Sequence, residues 1–297
     1  MQASTSHSSF NRRQLLQGSS AALAATVLTR SPVLAAPQTK HGMRLGLVTY
    51  QWGKDMSLPE VIASCEKSGV LGVELRTEHK HGVEPSLSKA ARAEVKKRFA
   101  DSPCELVGYG SNCEYHSDDP AKVKQNIEQT KAYIELMHDC GGSGVKVKPN
   151  GFSQTLSREK TIEQIGKSLN EVAAFGQKYG QKIRVEVHGK GTAELPVMRD
   201  IFQVADHPNA FVCWNSNGDD LKGEGLEANF RMVQQRMGDT VHIHELNDGA
   251  YPYPQLMKLF QQANYTGWIL LECSTEQPDK VKAMVEQLEL FEKLLAG

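Results

Sequence analysis

Lys182-Ile183-Arg184-Val185-Glu186-Val187-His188-Gly189 is a short apolar run that closes on two side chains able to bind a metal or move a proton. In an extended chain alternate residues face the same way. Val185 and Val187 therefore share one face, and Glu186 and His188 share the other. Three later segments repeat the design: Phe211-Val212-Cys213-Trp214-Asn215, Thr240-Val241-His242-Ile243-His244-Glu245 and Trp268-Ile269-Leu270-Leu271-Glu272. By the same alternation Cys213 pairs with Asn215, His242 with His244 and Leu270 with Glu272. Four successive strands thus aim Glu, Asn, His and Glu at one place.

Working outward, the pattern of a buried strand alternates with that of an amphipathic helix eight times from residue 43 onward. Strands are expected at 44–49, 72–76, 105–109 and 144–148, followed by the four just quoted. Ser57-Leu58-Pro59-Glu60 opens the first helix as a capping box with proline in the first turn. Further helices are expected at 88–99, from Asp119-Pro120 to Gly141-Gly142, around Ile162, Ile165, Leu169 and Val172, and at 195–205, 226–237, 254–263 and 278–295. Eight such units in this length make an α/β protein with the eightfold (β/α) TIM-barrel fold. A doubly wound open sheet would also alternate, but it usually carries a glycine-rich turn after its first strand. Tyr50-Gln51-Trp52-Gly53 is not one. Catalytic residues of such barrels stand at the C-terminal strand ends, and polar residues crowd those ends here: Gln51, Arg76, Glu78, His79, Asn112, Glu114, Lys146, Lys148, Glu186, His188, Asn215, His244 and Glu272.

Composition agrees with one large soluble domain. The chain has 297 residues, 39% hydrophobic and 23% charged, with formal net charge −1, which argues against nucleic acid as partner. Residues 1–36 are a different material. Arg12-Arg13, a mild apolar run at 21–28 and Ala35-Ala36 resemble a twin-arginine export signal, with a linker at 37–42 and the barrel at 43–297. That reading places the mature protein in the periplasm or otherwise outside the cytoplasm, without stable membrane insertion after cleavage. Six cysteines form no CxxC pair, so a zinc-finger spacing is absent; whether any form disulfides is open.

Two carboxylates, an imidazole and an amide oxygen suit one divalent metal ion such as Mn²⁺, Mg²⁺, Co²⁺ or Zn²⁺. The ligands read from the pattern are Glu186, Asn215, His244 and Glu272. A metal there would polarise a sugar carbonyl, and Glu186 and Glu272 on either side would remove and return a proton. The chain resembles the xylose-isomerase-like barrel superfamily, in particular its sugar phosphate isomerase/epimerase branch. The resemblance rests on Val185-Glu186-Val187-His188, Val241-His242-Ile243-His244 and Tyr265-Thr266-Gly267-Trp268-Ile269-Leu270-Leu271-Glu272. It implies that Glu186, His244 and Glu272 hold one divalent metal and that the two glutamates transfer the proton. Asn215 stands where the family usually has Asp, at the loss of one negative charge. The arginine that epimerases place after the strand-seven histidine is missing from Asn247-Asp248-Gly249-Ala250-Tyr251.

Each assignment has a plainer rival. Glu186, His244 and Glu272 could form a structural ion-pair network, and Asn215 could cap a loop. Lys148 is either catalytic, stabilising an enediolate oxygen, or salt-bridged to Glu186. His188 faces substrate or supports a ligand, and His242, one layer deeper, reads as a satisfied core histidine. Arg76, Glu78, His79 and His81 read as a solvated polar loop. Trp52, Tyr109 and Trp214 stack on a sugar or pack, and Asp219-Asp220 caps a helix. The expectation is an isomerase or epimerase of a small carbohydrate, possible as a homo-oligomer. A lyase or hydratase on 3-keto-glycosides and a sugar-binding barrel without turnover are the alternatives.

Overall fold

Parallel strands need a crossover between them, and amphipathic helices supply it here. The order is β1 (Arg44–Val48), α1 (Leu58–Ser68), β2 (Gly72–Arg76), α2 (Lys89–Ala100), β3 (Glu105–Gly110), α3 (Pro120–Cys140), β4 (Gly144–Val147), α4 (Arg158–Lys178), β5 (Lys182–Glu186), α5 (Leu195–Val204), β6 (Ala210–Cys213), α6 (Leu226–Val233), β7 (Thr240–Ile243), α7 (Tyr253–Gln262), β8 (Trp268–Leu271) and α8 (Lys280–Ala296). These come from a computed structural model that describes residue 2 and residues 42–296. Apart from Gln2 and Gly42, the expected export signal (1–36) and linker (37–42) lie outside the described residues.

The sheet runs β6-β5-β4-β3-β2-β1-β8-β7, with every neighbouring pair parallel. Between β6 and β7 the barrel closes without a regular ladder. His242 N–H donates to the Trp214 carbonyl at 2.7 Å, Ser216 N–H to the His242 carbonyl at 3.1 Å, and Gly238 N–H to the Val212 carbonyl at 2.8 Å. The eightfold barrel read from the alternation is the fold observed. Its punctuation is local. Ser57 N–H donates to the Glu60 carboxylate at 2.6 Å to open α1, and Gly69, with φ 78°, closes it. Gly141, with φ 87°, ends α3, a left-handed conformation that glycine adopts most cheaply.

Apolar burial fills the layer between strands and helices, where Val73, Leu75, Val145, Val147, Ile183, Val185, Val241 and Ile243 meet the inner faces of the helices. Inside the barrel the apolar cluster is small: Val48, Val107, Trp268 and Leu270. The remaining interior is charged, with Glu74, Lys146, Arg184 and His242 fully buried. Arg184 closes the N-terminal end. Its guanidinium donates to Asp239 at 3.0 Å, to the Val107 carbonyl at 3.0 Å and to Ser143 Oγ at 2.7 Å. Gly108 leaves room for it, because a Cβ there would lie 2.3 Å from Arg184 Nη1. Trp52, Tyr109 and Trp214 are buried, so their role is packing. Among the described residues no helix is long and apolar enough to cross a membrane.

Candidate active site at the C-terminal mouth

Glu186 ends β5, while Asn215, His244 and Glu272 stand just past β6, β7 and β8. All four line one cavity of about 740 Å³, together with Tyr50, Arg76, Lys148 and His188. The alternation therefore brings every expected site residue to one opening.

Their contacts differ from the expected metal cluster. Asn215 Nδ2 donates to Glu186 Oε1 at 2.9 Å and to Glu272 Oε2 at 3.3 Å, bridging the two carboxylates. Its Oδ1 is buried without a hydrogen-bond partner among the described residues. His244 faces the mouth, with Nδ1 3.0 Å from the Glu272 carbonyl. Because a carbonyl can only accept, that contact places a proton on Nδ1. Lys148 lines the cavity and makes no ion pair among the described residues; it is Lys146 Nζ that donates to Glu186 Oε2, at 2.7 Å. The alternative of a Lys148–Glu186 salt bridge is thus corrected. Both lysines are on β4's inward parity, but Lys146 is the one level with Glu186.

Arg76 also needs correcting. It ends β2 rather than sitting on a solvated loop, and its Nη1 donates to Glu272 Oε1 at 2.7 Å. Its guanidinium carbon is 5.0 Å from the centre of the Tyr50 ring. Glu74, two residues earlier on the same face, was not anticipated. The signal was present in Gly72-Val73-Glu74-Leu75-Arg76, where charge and apolar side chains alternate. Asp219 and Asp220 do not cap α6: they lie in a short 3₁₀ turn, Gly218–Leu221, capped by Asn217 with Asp220 as its reciprocal partner.

His242 lies at the centre. Its Nδ1 is 3.1 Å from Glu186 Oε1 and 3.4 Å from Glu272 Oε2, and its Nε2 is 3.1 Å from Glu74 Oε1. The contact with Glu74 is an ion pair outside hydrogen-bond alignment. With a carboxylate facing each ring nitrogen, the surroundings favour the protonated, cationic ring. Burial opposes that charge, but Cys213, Glu74 and Glu272 outweigh it and hold the imidazole well above its ordinary value. Burial likewise opposes ionisation of Glu186, yet Lys146 and His242 hold its carboxyl well below the usual range. Glu272 is lowered too, against burial and the Glu186 charge, by His242 and Lys146. Lys146 is raised: burial works against its charge and Glu186 prevails. At the cavity wall the balance reverses. Burial, then neighbouring Lys146, lowers Lys148, and burial lowers His188 despite Glu186 beside it.

Glu186, His242 and Glu272 offer ligand atoms within 4.8 Å of one another, so by spacing this group could hold a metal ion. By charge the arrangement is already complete. Three carboxylates (Glu74, Glu186, Glu272) meet three cations of the protein (Lys146, Arg76, His242). As arranged, the donor set does not suit a divalent ion. Glu186 has both oxygens engaged, His242 faces carboxylates at both ring nitrogens, and Asn215 points its NH₂ between the carboxylates.

A closed β/α barrel with a titratable mouth is the architecture of barrel proteins that handle small molecules at their C-terminal end. The profile of the xylose isomerase-like TIM barrel family matches residues 62–294, and the chain belongs to that family. Among solved structures it is similar to an L-ribulose 3-epimerase, with 15% identity, TM-score 0.74, and 86% of this chain and 95% of that chain covered. It is also similar to the apo form of the 3-keto-D-glucoside 4-epimerase YcjR from E. coli, with 14% identity, TM-score 0.71, and 84% and 99% covered. A third is the IOLI protein with a binding zinc atom, with 16% identity, TM-score 0.68, and 86% and 98% covered. No curated protein sequence matches the chain.

Proposed function

We propose that the protein is an isomerase or epimerase of a sugar or keto-sugar, working by proton abstraction next to a carbonyl. One observation carries the reading: Glu186 and Glu272 both reach the same mouth cavity, bridged by Asn215. One carboxylate takes the proton from the carbon beside the substrate carbonyl, the electron pair moves onto the carbonyl oxygen, and the other glutamate, having first taken a proton from solvent, delivers it to the opposite face and is left ionised. Both are held ionised by their neighbours, so either can accept at neutral pH. Their low basicity requires that the developing oxyanion be stabilised strongly. Lys148 and Arg76, which line the cavity, are the donors placed for it. His188, whose charged form burial disfavours, lines the same cavity and is the side chain we assign to a substrate hydroxyl. The sugar epimerases among the similar structures support the substrate class.

A second reading, β-elimination from a 3-keto-glycoside, is favoured by Lys148 and His188 on one wall. Elimination needs a proton donor at the leaving oxygen as well as a base at carbon. The test is one substrate panel with product analysis: epimerisation conserves mass, and elimination releases an aglycone. On whichever substrate turns over, Glu186→Gln and Glu272→Gln should each lower kcat by about a hundredfold or more. Full turnover in both variants would rule out carboxylate proton transfer.

A further inference from the structure

Lys146 is a buried cation that neither lines the cavity nor seals the floor. Its side chain is 0% exposed, and its ammonium lies 2.7 Å from a carboxylate that is 2% exposed. Burying a lysine this deeply is costly unless its charge is matched, so the sequence must gain something from placing it there. Gly110 packs beside it: a Cβ there would sit 3.0 Å from Arg76 Cγ and from Glu74 Oε1, and 3.5 Å, an ordinary contact, from Lys146 Cε. The second departure is Asn215, whose NH₂ donates to both glutamates where a carboxylate would repel them. The two changes are complementary. An added positive charge and a removed negative one both supply what a divalent cation would otherwise bring to the same oxygens.

We propose that the Lys146 ammonium, together with the Asn215 amide, stands in for a divalent ion, so that this mouth is a metal-independent site. Lys146 is a positioning residue: it acts through Glu186, fixing that carboxylate and balancing its charge. The oxyanion formed in turnover is then met from the cavity side by Lys148 and Arg76. The inference deepens the proton-transfer reading and uses the same pocket. It fails independently of it, because metal content and thermal midpoint are measured without any substrate.

The experiment starts with the purified chain from metal-replete medium, assayed for bound Mn, Zn, Co, Mg and Fe, and melted with and without EDTA or added Mn²⁺ or Zn²⁺. Wild type should carry substoichiometric metal, and its midpoint should not move with chelator or ion. Asn215→Asp combined with Lys146→Met should gain a site, read as a midpoint raised several degrees by Mn²⁺ or Zn²⁺. Lys146→Arg, which keeps the charge, should stay indifferent to ions. One tightly held divalent ion in the wild type, or a midpoint that EDTA lowers, overturns the proposal. A folded double variant that no ion stabilises overturns it too. Should the double variant fail to fold, the wild-type measurements decide alone.

Discussion

His242 shows how one side chain can tie an interior together. It faces a carboxylate at each ring nitrogen and has 0% exposure, so the core histidine the sequence suggested sits inside a charge network that favours its protonated form. Removing one partner of a buried ion pair typically costs about 3–5 kcal/mol, because the other charge is left uncompensated. His242→Gln should therefore destabilise the chain by about 3 kcal/mol, read from urea unfolding; a loss below about 1 kcal/mol would mean the ring is neutral. Strand alternation was enough to put His242 and Glu186 on one inward face. It could not tell which of His242 and His244 sits level with the carboxylates, because that depends on how far each strand is staggered around the barrel. The same limit explains Lys146 and Lys148, which share a parity and differ only in height.

Apart from α6, helices were legible to within about two residues because their ends carry stereochemical stops, such as the Ser57 capping box and Gly69. Strands read longer than they are. Asn215, His244 and Glu272 fall past the last ladder residues of β6, β7 and β8, where the chain turns outward to make the mouth. Helix α6 ends at Val233 and continues as a 3₁₀ turn, Gln234–Arg236, so the expected helix at 226–237 is really two pieces. The irregular β6–β7 closure is braced from below: Asp239, just before β7, accepts from Arg184 at 3.0 Å and Lys182 at 2.8 Å, both on β5. Burial opposes the Asp239 charge, yet Arg184 and Lys182 hold its carboxyl down at about 2. Asp239→Asn would leave the fully buried Arg184 without its counterion and should cost about 3 kcal/mol. Hydrogen exchange should then show faster opening at β6 and β7 than at β1 and β2; uniform protection would contradict the brace.

Across the whole molecule the titrating interior sets a pH window. Glu186, Glu272 and Asp239 have folded values below their unfolded ones. Their stabilisation is thus fully present above the unfolded carboxyl range, about 4, and is lost as pH falls through the folded values. His242 is raised, so its contribution is full below about 6.5 and disappears only as pH rises through its elevated folded value. Asp220 works the other way. Burial lifts it to about 7 despite the Tyr251 hydroxyl, so its term weakens stability as pH rises from about 4 towards 7. The thermal midpoint should drop steeply below about pH 4, and Asp220→Asn should flatten the decline between pH 4 and 7. A midpoint that holds steady down to pH 3 would show that the carboxylates are not paired as described. The fold was readable at this scale because eight strand–helix units admit few other closures. The charge balance was not, since it depends on which inward residues meet across the barrel.

Arg184 and its partners stopper one end of the barrel, and that makes the mouth a single doorway. On the proposed proton-transfer reading, reactant, product and solvent would all pass the same threshold, and an occupied pocket would bar water from the reacting carbon. In heavy water the proposed two-carboxylate route should therefore place one solvent deuterium on each epimerised product, while substrate recovered early should stay largely unlabelled.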